Sequence, residues 1–251
     1  MADPEEKMPF TTHLEELRTR LIRVIIAIGF GFAACWYYRE WLFQIITRPL
    51  IQVLPQNSSL IFTSLPEAFF NYMKISFFAS IFLTSPYALY QLWKFISPGL
   101  YPSEKKYVAP FVISSTLLFL SGILFGYFIA LPPAFGFFVE FSSDILRPLF
   151  SLREYLSFTL KLLLAFGISF ELPVIIFFMA KIGLVTSKTL AKQRRYAILI
   201  IFIIAAILTP SPDAFSQILM AIPLMILYEF GILVAKFAEK KQPDAEKEVD
   251  S

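Results

Sequence analysis

Residues 107–139 read YVAPFVISSTLLFLSGILFGYFIALPPAFGFFV, thirty-three positions without a charged side chain. A helix rises about 1.5 Å per residue and a bilayer's hydrocarbon core is about 30 Å thick, so about 20 apolar residues cross it. A helix on the surface of a water-soluble domain would bring a polar face round at every turn. Ile75–Trp93 holds another 19 uncharged residues and Tyr196–Pro212 another 17. Over all 251 residues, 57% are hydrophobic and 29 are Phe, which suits contact with lipid and its interfaces. The predicted class is therefore all-α: a polytopic membrane protein with six transmembrane helices. The spans are expected near 20–38, 69–92, 107–130, 155–179, 195–209 and 214–233. They form one domain over 1–238, and 239–251 is read as a disordered, charged tail.

Lys and Arg in the connections set the orientation. Sixteen of the 22 fall on the side of the N-terminus, the loops after spans two and four, and the tail. Four fall opposite, at Arg39, Arg48, Arg147 and Arg153, and Lys74 and Lys161 lie within spans. Both termini are thus expected in the cytoplasm. The first span, preceded by a polar segment without a cleavage site, is read as an anchor that stays. Of the opposite-side connections, 39–67 is long and Pro-containing. Residues 131–153 open on Pro132-Pro133 with room for a short helix. Pro210-Ser-Pro-Asp213 is a tight turn joining two short spans. The lone Cys35 precludes an internal disulfide.

Against this apolar background the acids stand out. Glu171 sits near mid-depth of span four, in Phe166-Gly-Ile-Ser-Phe-Glu-Leu-Pro173, where a charge costs about 2.5–3.5 kcal/mol on insertion scales. Pro173 removes an amide and frees the Ser169 carbonyl, and Gly167 admits a close helix. Two readings stand: an acid that hydrogen-bonds neighbouring helices of its own bundle, or one that meets a partner. At the N-terminus, Thr12-His-Leu-Glu15 fits a capping box. That leaves Glu16 either paired with Arg20 at i,i+4 or free for a ligand. His13, the one histidine, is expected at an exposed first turn. Glu104 follows Pro98-Gly99 and Pro102 in the loop after span two. It either complements a helix dipole or, beside Phe95, Ile96, Leu100 and Tyr101, meets a peptide with a basic and a greasy end. Asp213 reads as an N-cap.

No phosphate-binding glycine motif, Cys/His ligand cluster or nucleophile–base pair is present, so no enzyme, cofactor or metal is implied. Nucleic acid need not be invoked. A receptor and assembly scaffold competes with a proton-coupled small-solute transporter in which Glu171 titrates.

Taken together, four ordered motifs resemble the TatC family, the multispanning receptor subunit of the twin-arginine protein translocase. They are His13-Leu-Glu-Glu-Leu-Arg-Thr-Arg20, Phe95-Ile-Ser-Pro-Gly-Leu-Tyr-Pro-Ser-Glu104, Phe166-Gly-Ile-Ser-Phe-Glu-Leu-Pro-Val174 and Thr209-Pro-Ser-Pro-Asp213. The resemblance covers roughly residues 10–235. It implies recognition of paired-arginine signal peptides and export of folded proteins with small single-span TatA- and TatB-type subunits, driven by the proton-motive force. It further implies a bacterial plasma membrane and assembly with further copies of the chain. The family's signal-recognition acids would fall on Glu16 and Glu104, with Arg18 and Phe95 on the same surface. Its intramembrane acid would fall on Glu171, its outer-face proline on Pro49 and its last-loop acid on Asp213. Guanidinium–carboxylate pairing suits that role, but an exposed pair yields only about 0.2–1 kcal/mol. Arginine selectivity therefore calls for a partly desolvated pocket, which Phe95 and Leu100 are expected to wall. A bundle of helices each about 10–12 Å across is too narrow to pass a folded domain, so passage requires other chains.

Overall fold

The structure, a computed structural model, describes residues 10–53, 60–61, 64–97, 108–140, 150–208 and 214–239. Its elements in chain order are helices α1 (Phe10–Tyr37), α2 (Arg39–Val53), α3 (Glu67–Ile96), α4 (Val108–Phe125) and α5 (Leu131–Glu140), followed by α6 (Leu152–Ser169) and α7 (Leu172–Lys181). Helices α8 (Ser187–Lys192), α9 (Arg194–Leu208) and α10 (Ala214–Ala238) complete the chain. A two-residue parallel pair, Leu60–Ile61 with Phe150–Ser151, ties two connections together. The protein is all-α and built for a membrane. Among the described residues, five helical stretches are long and apolar enough to cross one: Thr12–Tyr37, Glu67–Ile96, Val108–Phe137, Leu152–Lys181 and Ala214–Ala238.

The proline-rich connections are more helical than their sequences suggest. Residues 39–67 begin with α2, which keeps Pro49 inside it. Pro49 has no amide to offer the Ile45 carbonyl one turn back. The Tyr127 hydroxyl donates to that carbonyl instead, at 2.7 Å, and Tyr155 donates to the Ile46 carbonyl at 2.5 Å. Pro49 is buried, and two tyrosines from other helices seal the backbone around it. Likewise Pro86, inside α3, frees the Phe82 carbonyl, and the Ser85 hydroxyl takes it up at 2.8 Å.

The third stretch does not stop near residue 130. A wide turn, Gly126–Ala130, carries α4 into α5 through Pro132-Pro133, and the Leu131 amide reaches back to the Gly126 carbonyl. That five-residue step relaxes the i→i−4 ladder just where two prolines could not join it. The fourth stretch, expected as one span over 155–179, is broken just before Pro173: α6 ends at Ser169, residues 170–171 form a turn, and α7 restarts at Leu172. Helix α9 has 15 residues, about 22 Å of rise, short of a full crossing. Helix α10 runs 25 residues, longer than its uncharged stretch, and Glu229 within it pairs with Arg194 at 2.7 Å.

Helix α6 supplies the centre of the core. Leu156, Leu160, Leu163 and Phe166 along it are fully buried, and Leu50, Leu131 and Met220 pack around them. Gly122 of α4 faces this helix so closely that a Cβ there would lie 2.5 Å from the Phe166 carbonyl oxygen. Small residues allow such contact between helices whose association hydrophobicity does not drive. Gly122→Leu is expected to destabilise by about 1–3 kcal/mol, because the obstacle is backbone. Thermal unfolding in detergent, compared with Gly29→Leu where nothing is nearby, checks it.

Candidate functional site

The N-terminal third of α1 lies against the C-terminal end of α3, and two side-chain contacts, His13 with Phe95 and Arg20 with Gln91, fasten the two. The His13 ring stacks on Phe95, centroids 4.3 Å apart and planes 17° from parallel. Arg20 binds the Glu16 carboxylate through Nε at 3.0 Å and through Nη2, both to the same oxygen. The remaining Arg20 Nη1 donates to Gln91 Oε1 at 3.1 Å, and Gln91 Nε2 donates to the Tyr87 hydroxyl at 2.7 Å. Glu16, Arg20, Gln91 and Tyr87 thus form one chain of hydrogen bonds from α1 to α3. Gln91 is buried, and only 11% of the Arg20 side chain and 24% of that of Glu16 are exposed. The Glu16 carboxylate is thus partly desolvated and already paired with Arg20.

A shallow polar depression of about 340 Å³ opens beside it, lined by Thr12, Glu15, Glu16, Thr19, Arg20 and Arg23. Arg18 is exposed and in no ion pair among the described residues. Lys94 lies over the Tyr90 ring, 5.6 Å from its centroid, on the same end of α3.

Two local expectations fail here. Helix α1 is already formed at Phe10, so Thr12 is an interior residue and there is no capping box at 12–15. The Glu15 carbonyl instead accepts the Thr19 hydroxyl at 2.9 Å, within a continuous helix. His13 is half-buried against Phe95 rather than exposed. The reading of Glu16 as the partner of Arg20 holds. Leu100, Glu104 and Asp213 lie outside the described residues.

The intramembrane acid sits at the α6–α7 break. Glu171 is half-buried, and its Oε1 is buried without a hydrogen-bond partner among the described residues. Its polar neighbour is Ser115 of α4, whose hydroxyl also accepts from Trp93 Nε1 at 2.9 Å. Trp93 in turn stacks on Phe111 at 4.7 Å, two residues from Phe95 along α3. Pro173 makes the site: its missing amide breaks the helix and leaves the acid at a turn rather than on a continuous face. Among the described residues, no group of His, Cys, Asp and Glu could hold a metal.

The motifs at 13–20, 95–97 and 166–174 therefore occupy two polar sites in an apolar bundle. The family model for the Sec-independent protein translocase protein (TatC) matches residues 12–223. The chain belongs to the TatC family. A TatC of Desulforapulum autotrophicum is 50% identical over the whole of this chain and 93% of its own length. That of Escherichia coli is 40% identical, over 93% of this chain and 90% of its own. A crystal structure of the twin-arginine translocase receptor TatC superposes with a TM-score of 0.81 at 42% identity, covering 90% of this chain and 99% of that one. A second, in DDM, gives 0.82, with 89% and 99% coverage at 42% identity. Like other TatC proteins, this chain is a membrane-embedded component of protein transport.

Sequence reasoning missed Gln91, Tyr87 and Ser115. Gln91 carried the one available hint, since a buried amide in an otherwise apolar span needs partners. Nothing local marks Ser115, whose role depends on helices brought together from far along the chain.

Proposed function

We propose that this translocase receptor binds paired-arginine signal peptides where α1 meets the end of α3. The carrying observation is the half-buried Glu16 carboxylate beside the His13–Phe95 stack. Arg20 takes one Glu16 oxygen, so an incoming guanidinium can bind the other or displace Arg20. Lysine, with a point charge and no planar fork, competes poorly with either arrangement. Arg18 and the loop residues Leu100 and Glu104 would complete the surface, with Glu104 as the second carboxylate for the second arginine.

On this reading six helices span the plasma membrane of a bacterium, α9 being the short one, and both termini face the cytoplasm. The excess of basic residues on the side of the α1–α3 site supports that orientation. Residues 1–238 form the membrane domain and 239–251 a cytoplasmic tail. Glu171, half-buried at the break, would give small single-span TatA- or TatB-type subunits a hydrogen-bonding group, and several copies would assemble to pass folded cargo. Pro49 would set the outer connection, with Asp213 capping α10. The proton-motive force would drive transport.

A photoreactive residue at Leu92 or Phe95 tests the assignment. Each should crosslink a paired-arginine signal peptide in native membranes, and Ile198, exposed on α9, should not. Labelling from Ile198 but not from 92 or 95 would remove the peptide from this site.

A further inference from the structure

At the opposite end of the bundle from the α1–α3 site, the seam between α3 and α6 collects hydrogen-bond donors and cations. Arg153, Ser157 and Lys161 fall at i, i+4 and i+8 on α6, and so share one stripe. The Lys74 ammonium of α3 donates to the central Ser157 hydroxyl at 2.9 Å. The charges of Arg153 and Lys161 both act on it. One turn back along α3, the Asn71 side chain is 3% exposed, and its Nδ2 has no hydrogen-bond partner among the described residues. Two acids lie at this end of the seam: Glu67, buried one turn before Asn71, accepts the Arg153 backbone amide at 3.2 Å, and Glu154 is exposed. Deeper in, neither Lys74 nor Lys161 is in an ion pair among the described residues.

Depth narrows what can neutralise them. By helical rise Lys74 lies about 10 Å into α3, and Lys161 about 13 Å into α6. That is the region where a bilayer's headgroups give way to its acyl chains, and where lysines reach outward along apolar surface. Phe70 and Phe77 flank Lys74 at i−4 and i+3, and both are exposed. Cations around a buried, unmet amide donor, with open aromatic surface alongside, match a phosphate group that carries hydrocarbon chains.

We propose that this seam binds the phosphate of an anionic phospholipid in the leaflet opposite the α1–α3 site. Lys74 and Lys161 are its ligands, Asn71 a further donor, and Phe70 and Phe77 the bed for its chains. Basic pockets between transmembrane helices are a recurrent means of holding such headgroups.

The test is native mass spectrometry of the full chain released from nanodiscs of equal parts phosphatidylglycerol and phosphatidylcholine. Wild type should retain phosphatidylglycerol in preference, and K74Q/K161Q should retain roughly tenfold less, the change expected from losing a charge-assisted contact. K74R/K161R should keep it, which separates charge from packing. Should the double glutamine variant unfold, K161Q alone serves, since that side chain is exposed. Equal retention by wild type and K161Q, or no preference for phosphatidylglycerol, would overturn the proposal. So would inorganic phosphate displacing the lipid at millimolar concentration, which would make the ligand a free anion.

Discussion

Glu171→Ala is expected to abolish export of folded cargo and to weaken recovery of single-span partner subunits with this chain, while Glu171→Gln keeps much of both. The acid lies half-buried at a proline-induced break, so the feature it offers is a hydrogen-bonding group inside the membrane. An interhelical hydrogen bond there contributes about 0.6–2 kcal/mol, a factor of about 3–30 in association. Glutamine retains the acceptor and adds a donor; alanine leaves a hole beside Ser115. Co-purification from membranes of cells expressing each variant, with export of a folded reporter, checks it. Loss of export in Glu171→Gln with partner recovery intact would mean that titration of the acid matters, as in a proton-coupled carrier.

Phe95→Ala should weaken paired-arginine peptide binding by roughly thirtyfold, a loss of about 2 kcal/mol of the kind aromatic anchors carry. The ring stacks on His13, one helical turn from Glu16, and on this reading would keep water from that carboxylate. A stacked pair contributes about 0.5–1.5 kcal/mol by itself. The greater effect comes from the carboxylate: once hydrated, its pairing with arginine falls to the 0.2–1 kcal/mol or so of an exposed ion pair. Phe95→Leu, which keeps apolar cover but not the stack, should lie between. Titration calorimetry on the two variants distinguishes these contributions, and a Phe95→Ala protein that binds as wild type does would detach the site from this ring.

Much of the fold was legible because uncharged length is a local property. Residues 107–139 and 75–93 announce spans whatever surrounds them. Pro173 marked a weak point in span four, since it lacks an amide wherever it is placed, but the span was expected unbroken over 155–179, and the turn at 170–171 was not read. What could not be read depends on distant partners. Helix α2 survives Pro49 because Tyr127, some eighty residues on, takes the freed carbonyl. The wide turn at Gly126–Ala130 carries a helix through two prolines that read as its end. Thr12–Glu15 matched a capping pattern, but that pattern does not say whether a helix begins earlier; here it does. At the site, the i,i+4 pairing of Glu16 with Arg20 was legible from spacing. Its anchoring to Gln91 and the burial of His13 were not, because both need α3 alongside.

The reading of this chain as an arginine-selective receptor is tested most directly by equilibrium binding of a paired-arginine signal peptide to the purified full chain, beside the same peptide with paired lysines. The account predicts binding that prefers arginine and is lost when Glu16→Ala and Glu104→Ala are combined in a protein that still folds. Equal affinity for the two peptides, or arginine-selective binding that survives the double substitution, would contradict it.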